Sequence, residues 1–375
     1  MGRAVTIALW RADNKPPLEV VVVNLDSEIS ERKTKREKEK IKTKNKKEDT
    51  IMIGGDLITY RPDIQVLDAT IRDGGLVNDF YFTDEFIRAL YEANIKAGVD
   101  YMEFGYKASK EMFDVNKFGK WKFCNEEDIR AIVGENNTDL KISVMADVGR
   151  CDYKKDIIDR ADSVIDLVRV ATYINTMPAA IEMIEDAHAK GYETTCNIMA
   201  VSKDQESDID LALELLGKSN VDGIYIVDSY GSLYPEQIKK LAEKYVAVGE
   251  KYGKKIGIHA HDNLKLAYAN TVEAMRSGAS MLDGTVSCMG RGAGNCALEL
   301  LLGFLRNPKY NLYHILKFIE QYMVPLKAKG DAVWGYDVPY MLTGMLNQHP
   351  REAIDFIKNE RHDYADMYSY LMYRE

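Results

Sequence analysis

From residue 66 onward the sequence predicts an α/β chain whose strands run parallel and close into an eight-unit barrel. Three observations carry this. Short apolar, β-branched runs alternate with segments of helical period, which marks repeated βα units. Eight such runs fit within about 240 residues, the size of a TIM (β/α)8 barrel. Several of the helical segments open on Asp, Ser or Pro and close on Gly, as at Ala97-Gly98, Lys190-Gly191 and Ser277-Gly278. A doubly wound open sheet is the alternative arrangement of the same units.

The elements follow in order. The first strand, 66–70 (VLDAT), leads to an amphipathic helix at 84–97 (DEFIRALYEANIKA), whose apolar residues recur at three- and four-residue spacing. The second strand is 101–105, the third 141–146 and the fourth 167–171. A helix at 178–190 then leads to the fifth strand at 193–199. The sixth, 223–228 (GIYIVD), and the seventh, 255–260 (KIGIHA), flank a helix at 235–252, and 280–286 (SMLDGTV) completes the set. Beyond it, 311–375 reads as further helices. Three parts result: a charged extension over 1–50, a barrel domain over 51–308 and a C-terminal helical region over 309–375.

Composition narrows the function classes. The 375 residues are 46% apolar and 29% charged with 26 Gly and 9 Pro, so the chain is long enough for a large core and is neither fibrous nor low-complexity. No apolar run approaches the roughly 18 residues of a membrane helix. Five scattered cysteines without CxxC spacing read as reduced thiols in a cytosol. The net charge of −9 is uneven: residues 31–48 hold ten Lys or Arg against four Glu and no aromatic residue. Such a run suits a solvated helix or a disordered segment, and without aromatics it offers no base-stacking platform for nucleic acid. Upstream of it, AVTIALW and EVVVVNL suit two small strands.

In a barrel of this kind the chemistry collects at the C-terminal strand ends. The first ends in LDATIRDGG, where Arg72 and Asp73 stand beside a glycine pair that allows a sharp turn. The seventh ends in GIHAHDN, where His259 and His261, two residues apart, share a face. Strands one and seven both border strand eight in a closed barrel. Asp73 can therefore meet the two imidazoles in a facial set with open coordination positions. After strand eight, GRGAGN (290–295) is a glycine-rich turn opening a helix, where backbone amides can hold an anion.

These residues resemble the DRE-TIM metallolyases, the superfamily of 4-hydroxy-2-oxovalerate aldolases, hydroxymethylglutaryl-CoA lyase, and isopropylmalate and homocitrate synthases. LDATIRDGG, VDYMEFGYK, LVRVATY, IYIVDSYGSLYP, HAHDN and GRGAGNCALE fall in family order over 64–353, and VRVATY, CNIMAVS and WGYDVPY look most like the aldolase branch. The resemblance implies a TIM barrel with a divalent ion, Mn²⁺ before Mg²⁺, Co²⁺ or Zn²⁺, held by Asp73, His259 and His261 with Asn295 as a fourth ligand. It also implies Arg72, Glu103 and Tyr336 as the catalytic set, with Arg72, Asp228, Ser229 and Arg291 binding substrate. The activity implied is cleavage or formation of a C–C bond in a 4-hydroxy-2-oxo acid through a pyruvate enolate, with pyruvate and an aldehyde as the other pair.

The pattern departs from the aldolases at one position: their histidine three residues after the metal-binding Asp is Leu76 here. Leucine transfers no proton, so Tyr336, Tyr106, Lys107 and His349 are the substitutes considered. The cysteine position of hydroxymethylglutaryl-CoA lyase is Val286, with Cys288 two residues off, which argues against that activity. A Claisen-type acyl-CoA synthase would use the same metal and arginine, but Gly290 stands where the synthases carry an acid, and the last 70 or so residues leave no room for a CoA or regulatory domain. A non-catalytic binding protein is the remaining class. In the aldolase branch the C-terminal region can dock a dehydrogenase that consumes the aldehyde. Here that region is shorter, and its Tyr364, Met367, Tyr368, Tyr370, Met372 and Tyr373 suit packing against the barrel or a second subunit.

Overall fold

The computed structural model describes residues 4–8, 20–24, 61–305, 307–330 and 332–373. It divides into two compact units, 1–58 and 59–375. In the first, Ala4–Ala8 pairs antiparallel with Val20–Asn24, as the two apolar runs suggest. The basic run at 31–48 lies outside the described residues.

The second unit is a closed barrel of eight parallel strands: Gln65–Asp68, Tyr101–Tyr106, Lys141–Asp147, Leu167–Thr172, Glu193–Ile198, Gly223–Asp228, Lys255–Ala260 and Met281–Gly284. The open-sheet alternative is excluded. Closure occurs at the eighth strand, whose Leu282 stands beside Val66 of the first and Ile258 of the seventh. Inside the barrel, Leu67, Tyr101, Leu167, Tyr225 and Met281 form a separate apolar cluster. The polar end of the barrel therefore has a dry floor. Among the described residues no helix is long and apolar enough to cross a membrane.

Two strand ends differ from the sequence reading. The first strand stops at Asp68 rather than residue 70, because the Asp68 carboxylate accepts the Thr70 amide and hydroxyl and starts a one-turn helix, Thr70–Gly74. The glycine pair is helical, with Gly75 at φ −59°, so it makes no left-handed turn. Its value is space: a Cβ on Gly75 would lie 2.2 Å from the Phe80 ring. The eighth strand likewise ends at Gly284, and Val286–Cys288 forms a 3₁₀ turn. The two ends are tied together where the Val286 amide donates to Thr70 Oγ at 2.8 Å.

The C-terminal helices Val338–Met345, Arg351–Lys358 and Tyr364–Tyr373 carry a small core of their own, in which Tyr340, Leu342, Phe356, Met367 and Leu371 pack on Ala293 of the glycine-rich turn. Met367 is thus buried, while Tyr370 and Tyr373 remain exposed. Asn347 anchors this region across the barrel mouth: Ser202 and Ser232 donate to its side-chain oxygen, and its amide donates to the Ser202 carbonyl.

Candidate metal centre

Asp73, His259 and His261 converge at the C-terminal end of the barrel, fully buried, with ligand atoms that all lie within 4.8 Å of one another. Asp73 sits on the one-turn helix after the first strand. His259 is on the seventh strand, and His261 lies just past its end, bridged to Asn295. His259 Nε2 and His261 Nε2 lie 3.3 and 3.8 Å from Asp73 Oδ2.

A ring of charge surrounds this point. Arg72 donates from Nη1 to Asp73 Oδ2 at 2.5 Å and from Nε to Glu103 Oε2 at 2.8 Å. Arg169 on the fourth strand donates to the same Glu103 oxygen at 2.9 Å and to Asp283 Oδ2 on the eighth at 2.6 Å. Asp283 Oδ2 then meets His259 Nδ1 at 3.0 Å, and His259 returns the ring to Asp73. Arg169 also lies over the Tyr225 ring at 4.4 Å. Sequence reasoning missed Arg169 and Asp283, although a charge inside an apolar parallel strand (LVRVATY, SMLDGTV) was the available signal.

The geometry fits a divalent cation. With Nδ1–H of neutral His259 donating to the Asp283 carboxylate, Nε2 presents a lone pair, and it faces a carboxylate oxygen. Acceptors that face one another at 3.3–3.8 Å are relieved by a cation between them, a metal ion or, in its place, a proton on His259. The ring carries two guanidiniums against three carboxylates, so one negative charge is left over. Although burial opposes its charge, Arg72 and the two imidazoles hold the Asp73 carboxyl well below the usual carboxylate range. Burial keeps His261 well below the usual imidazole range, and therefore neutral and able to ligate. Burial and Arg72 oppose protonation of His259, yet Asp283 and Asp73 outweigh them, so the pocket draws positive charge onto this ring. Asn295 is buried nearby with neither side-chain polar atom bonded, as suits a fourth ligand.

The glycine-rich turn serves this centre differently from the sequence reading. The helix it was expected to open begins later, at Leu298, and the anion that the Arg291 amide holds is Asp73 Oδ1, at 2.9 Å. Gly290 is squeezed between ligands: a Cβ there would lie 2.5 Å from Asn295 Nδ2 and 2.7 Å from Asp73 Oδ1. Gly290→Ala is therefore expected to weaken Mn²⁺ binding roughly tenfold to hundredfold, the cost typical of disturbing a ligand's surroundings, as read by titration of metal-stripped protein. Unchanged affinity would place the metal elsewhere. The His259→Ala, His261→Ala double variant is expected to purify without divalent ion, measured by plasma mass spectrometry, and full occupancy would remove the site.

A cleft of about 70 Å³ opens onto the centre, lined among others by Arg72, Leu76, Tyr106, Ser229, Arg291 and His349. Three expected residues stand apart from it. Glu103 is buried behind Arg72 and positions that guanidinium instead of reaching the cleft. Asp228 accepts the Ser232 and Leu233 amides and shapes the turn after the sixth strand; burial pushes its carboxyl up to about 7. Tyr336 is 56% exposed and off the cleft. The reason is local: Trp334 Nε1 bonds the Ser287 carbonyl, the Gly335 amide bonds Gly292, and Asp337 caps the next helix, which directs Tyr336 outward. Of the proposed bases, Tyr106 and His349 line the cleft and Lys107 does not. Ser229 reaches the cleft, where its Oγ accepts the Ala200 amide.

A family model described as HMGL-like matches residues 63–320. The chain belongs to the HMGL-like family. Among its relatives, 4-hydroxy-2-oxovalerate aldolase of Bacillus thuringiensis (strain Al Hakam) is 29% identical over 286 residues, 73% of this chain and 81% of that protein. Oxaloacetate decarboxylase of Mycobacterium tuberculosis (strain ATCC 25618 / H37Rv) is 29% identical over 249 residues, 66% and 71% of the two. The crystal structure of HMG-CoA lyase from Brucella melitensis shares the fold, with a TM-score of 0.58 at 14% identity over 71% of this chain and 99% of that one. Within the HMGL-like fold, the buried Val286 carries no thiol, and burial pushes the Cys288 thiol up to about 11, which disfavours its thiolate.

Proposed function

We propose that this HMGL-like chain is a divalent-metal-dependent lyase that cleaves a 4-hydroxy-2-oxo acid into pyruvate and an aldehyde, with Mn²⁺ the expected ion. The observation that carries the reading is the convergence of Asp73, His259 and His261 with a buried Arg72 on one cleft. Asp73, His259 and His261 would hold the divalent ion, which when bound would supply electron withdrawal from the 2-keto group. In the reaction the 4-hydroxyl proton passes to solvent, the C4=O bond of the aldehyde forms as C3–C4 breaks, that bond's electron pair enters the C2–C3 enolate, and a proton returned from solvent to C3 yields pyruvate. Arg72 stabilises the negative charge as it develops on the enolate oxygen, and the fixed partners Glu103 and Asp73 spare it reorganisation. Tyr106 lines the cleft, and burial raises its pKa, so its phenol stays protonated and is suited to donate a hydrogen bond to the substrate.

The Leu76 side chain on the cleft wall favours a second reading, decarboxylation of a 2-oxo diacid. That reaction breaks C3–C4 with loss of CO₂ and needs no base at a hydroxyl, which accords with the printed name of the Mycobacterium tuberculosis relative. One assay separates the readings: pyruvate release, with Mn²⁺, from 4-hydroxy-2-oxo acids and from oxaloacetate. Aldehyde appearing with pyruvate supports the aldolase, and CO₂ without aldehyde supports the decarboxylase. Acetyl-CoA-dependent thiol release with a 2-oxo acid would select a Claisen-type synthase. No turnover and no bound metal would return the chain to a binding protein.

A further inference from the structure

Arg291 is a cation in search of a partner. Its Nη2 donates to the Ser229 carbonyl at 2.8 Å, its Nε is buried without a hydrogen bond, and among the described residues no carboxylate lies within 4 Å of its guanidinium. Arg72 and Arg169, the two buried arginines near the centre, are each held by two carboxylates. A half-buried guanidinium without an anion leaves hydrogen-bonding capacity unused, and a ligand carboxylate would take it up.

The neighbouring histidine makes the same demand. The Arg351 amide donates to His349 Nδ1 at 3.1 Å, so a neutral His349 carries its proton on Nε2. Burial and the adjacent arginines push this imidazole down to about 4, in keeping with the neutral form. Nε2 lies 3.4 Å from Arg291 Nη1. Two donors therefore face one another on the cleft wall with no acceptor between them. Ser229 and Tyr230 back them from the sixth-strand loop, the Tyr230 ring standing edge-on to His349 at 5.9 Å.

We propose that Arg291 and His349 bind a second carboxylate of the substrate, so that the chain acts on 4-hydroxy-2-oxo dicarboxylic acids and the aldehyde it releases is itself acidic. This rests on the enolate reading of the metal centre, which holds the other end of the same molecule. A carboxylate retained on the aldehyde suits a persistent ion pair better than one leaving as neutral CO₂, because a salt bridge to a departing carboxylate stabilises the reactant and is lost at the transition state.

The test compares 4-hydroxy-2-oxoglutarate with 4-hydroxy-2-oxopentanoate, which differ only by a terminal carboxylate in place of a methyl. With Mn²⁺, the dianion is expected to show a kcat/KM roughly ten- to hundredfold higher, the size of a charge-assisted hydrogen bond. Arg291→Gln should abolish that preference and Arg291→Lys restore part of it. Equal kcat/KM values in the wild type, or a parallel fall for both substrates in Arg291→Gln, overturn the assignment. If neither is cleaved, calorimetry with 2-oxoglutarate and 2-oxopentanoate decides. Preferential binding of 2-oxoglutarate that is lost in Arg291→Gln supports it, and equal binding overturns it. Deuterium exchange of pyruvate methyl protons by the wild type reports separately on the enolate reading, since pyruvate lacks the second carboxylate.

Discussion

Arg72→Ala is expected to lower kcat by about 10² to 10³ while the protein keeps its metal and binds substrate nearly as before. The guanidinium lies at the cleft with Nη2 3.4 Å from His259 Nε2, beside the ligand set without belonging to it. Its attraction for the substrate oxygen grows as the enolate forms, so the loss falls on the transition state more than on binding. Glu103 keeps its bond to Arg169 in the variant, which limits the damage to the fold. Arg72→Lys should recover only part of the rate, because an ammonium cannot reach Asp73, Glu103 and the substrate together as the planar fork does. The measurement that needs no knowledge of the aldehyde is methyl-proton exchange of pyruvate in D₂O with Mn²⁺ present. Wild type exchanges and Arg72→Ala, with metal retained, does not. Equal exchange in both removes Arg72 from the chemistry.

Arg169→Ala is expected to be the most destabilising single change, by about 3–5 kcal/mol, since it removes a cation from two buried carboxylates at once and leaves Glu103 with Arg72 alone and Asp283 with His259 alone. Glu103 and Asp283 are both fully buried, and Arg169 lies between them on the apolar floor formed around Tyr225. Denaturant unfolding of wild type and variant measures the loss. A double-mutant cycle with Glu103→Gln should show strong coupling, because neutralising one carboxylate relieves part of the penalty. A loss below about 1 kcal/mol would mean that water or another group compensates the charges. Asp283 keeps its contact with His259 Nδ1 but loses the guanidinium that fixes its orientation, so metal affinity should fall along with stability.

The convergence of Asp73, His259 and His261 was legible because each signal was local or topological. His259 and His261 stand two apart at a strand end, and the closed order of strands brings the first beside the eighth. Arg169 and Asp283 went unread because attention to strand ends passes over mid-strand charges, whose pairing depends on partners 66 and 114 residues away. Asp228 looked like a substrate ligand since nothing in DSYGSLY reveals that two backbone amides claim its carboxylate. The outward turn of Tyr336 depends on anchors at Ser287 and Gly292, far upstream in sequence. The donor pair of Arg291 and His349 joins residues 58 apart across two structural regions, and no spacing rule reaches it.

The six-membered charge ring has a consequence for the order in which the chain can fold. Its members come from the first, second, fourth, seventh and eighth barrel strands or the turns that follow them. An intermediate holding only the first six strands has Arg72, Asp73, Glu103 and Arg169 but lacks Asp283 and both imidazoles. It must keep that end of the barrel hydrated, since a dry interior would leave Arg169 half neutralised. Dehydration of the site and docking of the last two strands are then one event, so a six-stranded intermediate lacks the dry native site and should scarcely accumulate. Amide hydrogens of the first and eighth strands should accordingly exchange with solvent through the same global opening, in step with one another.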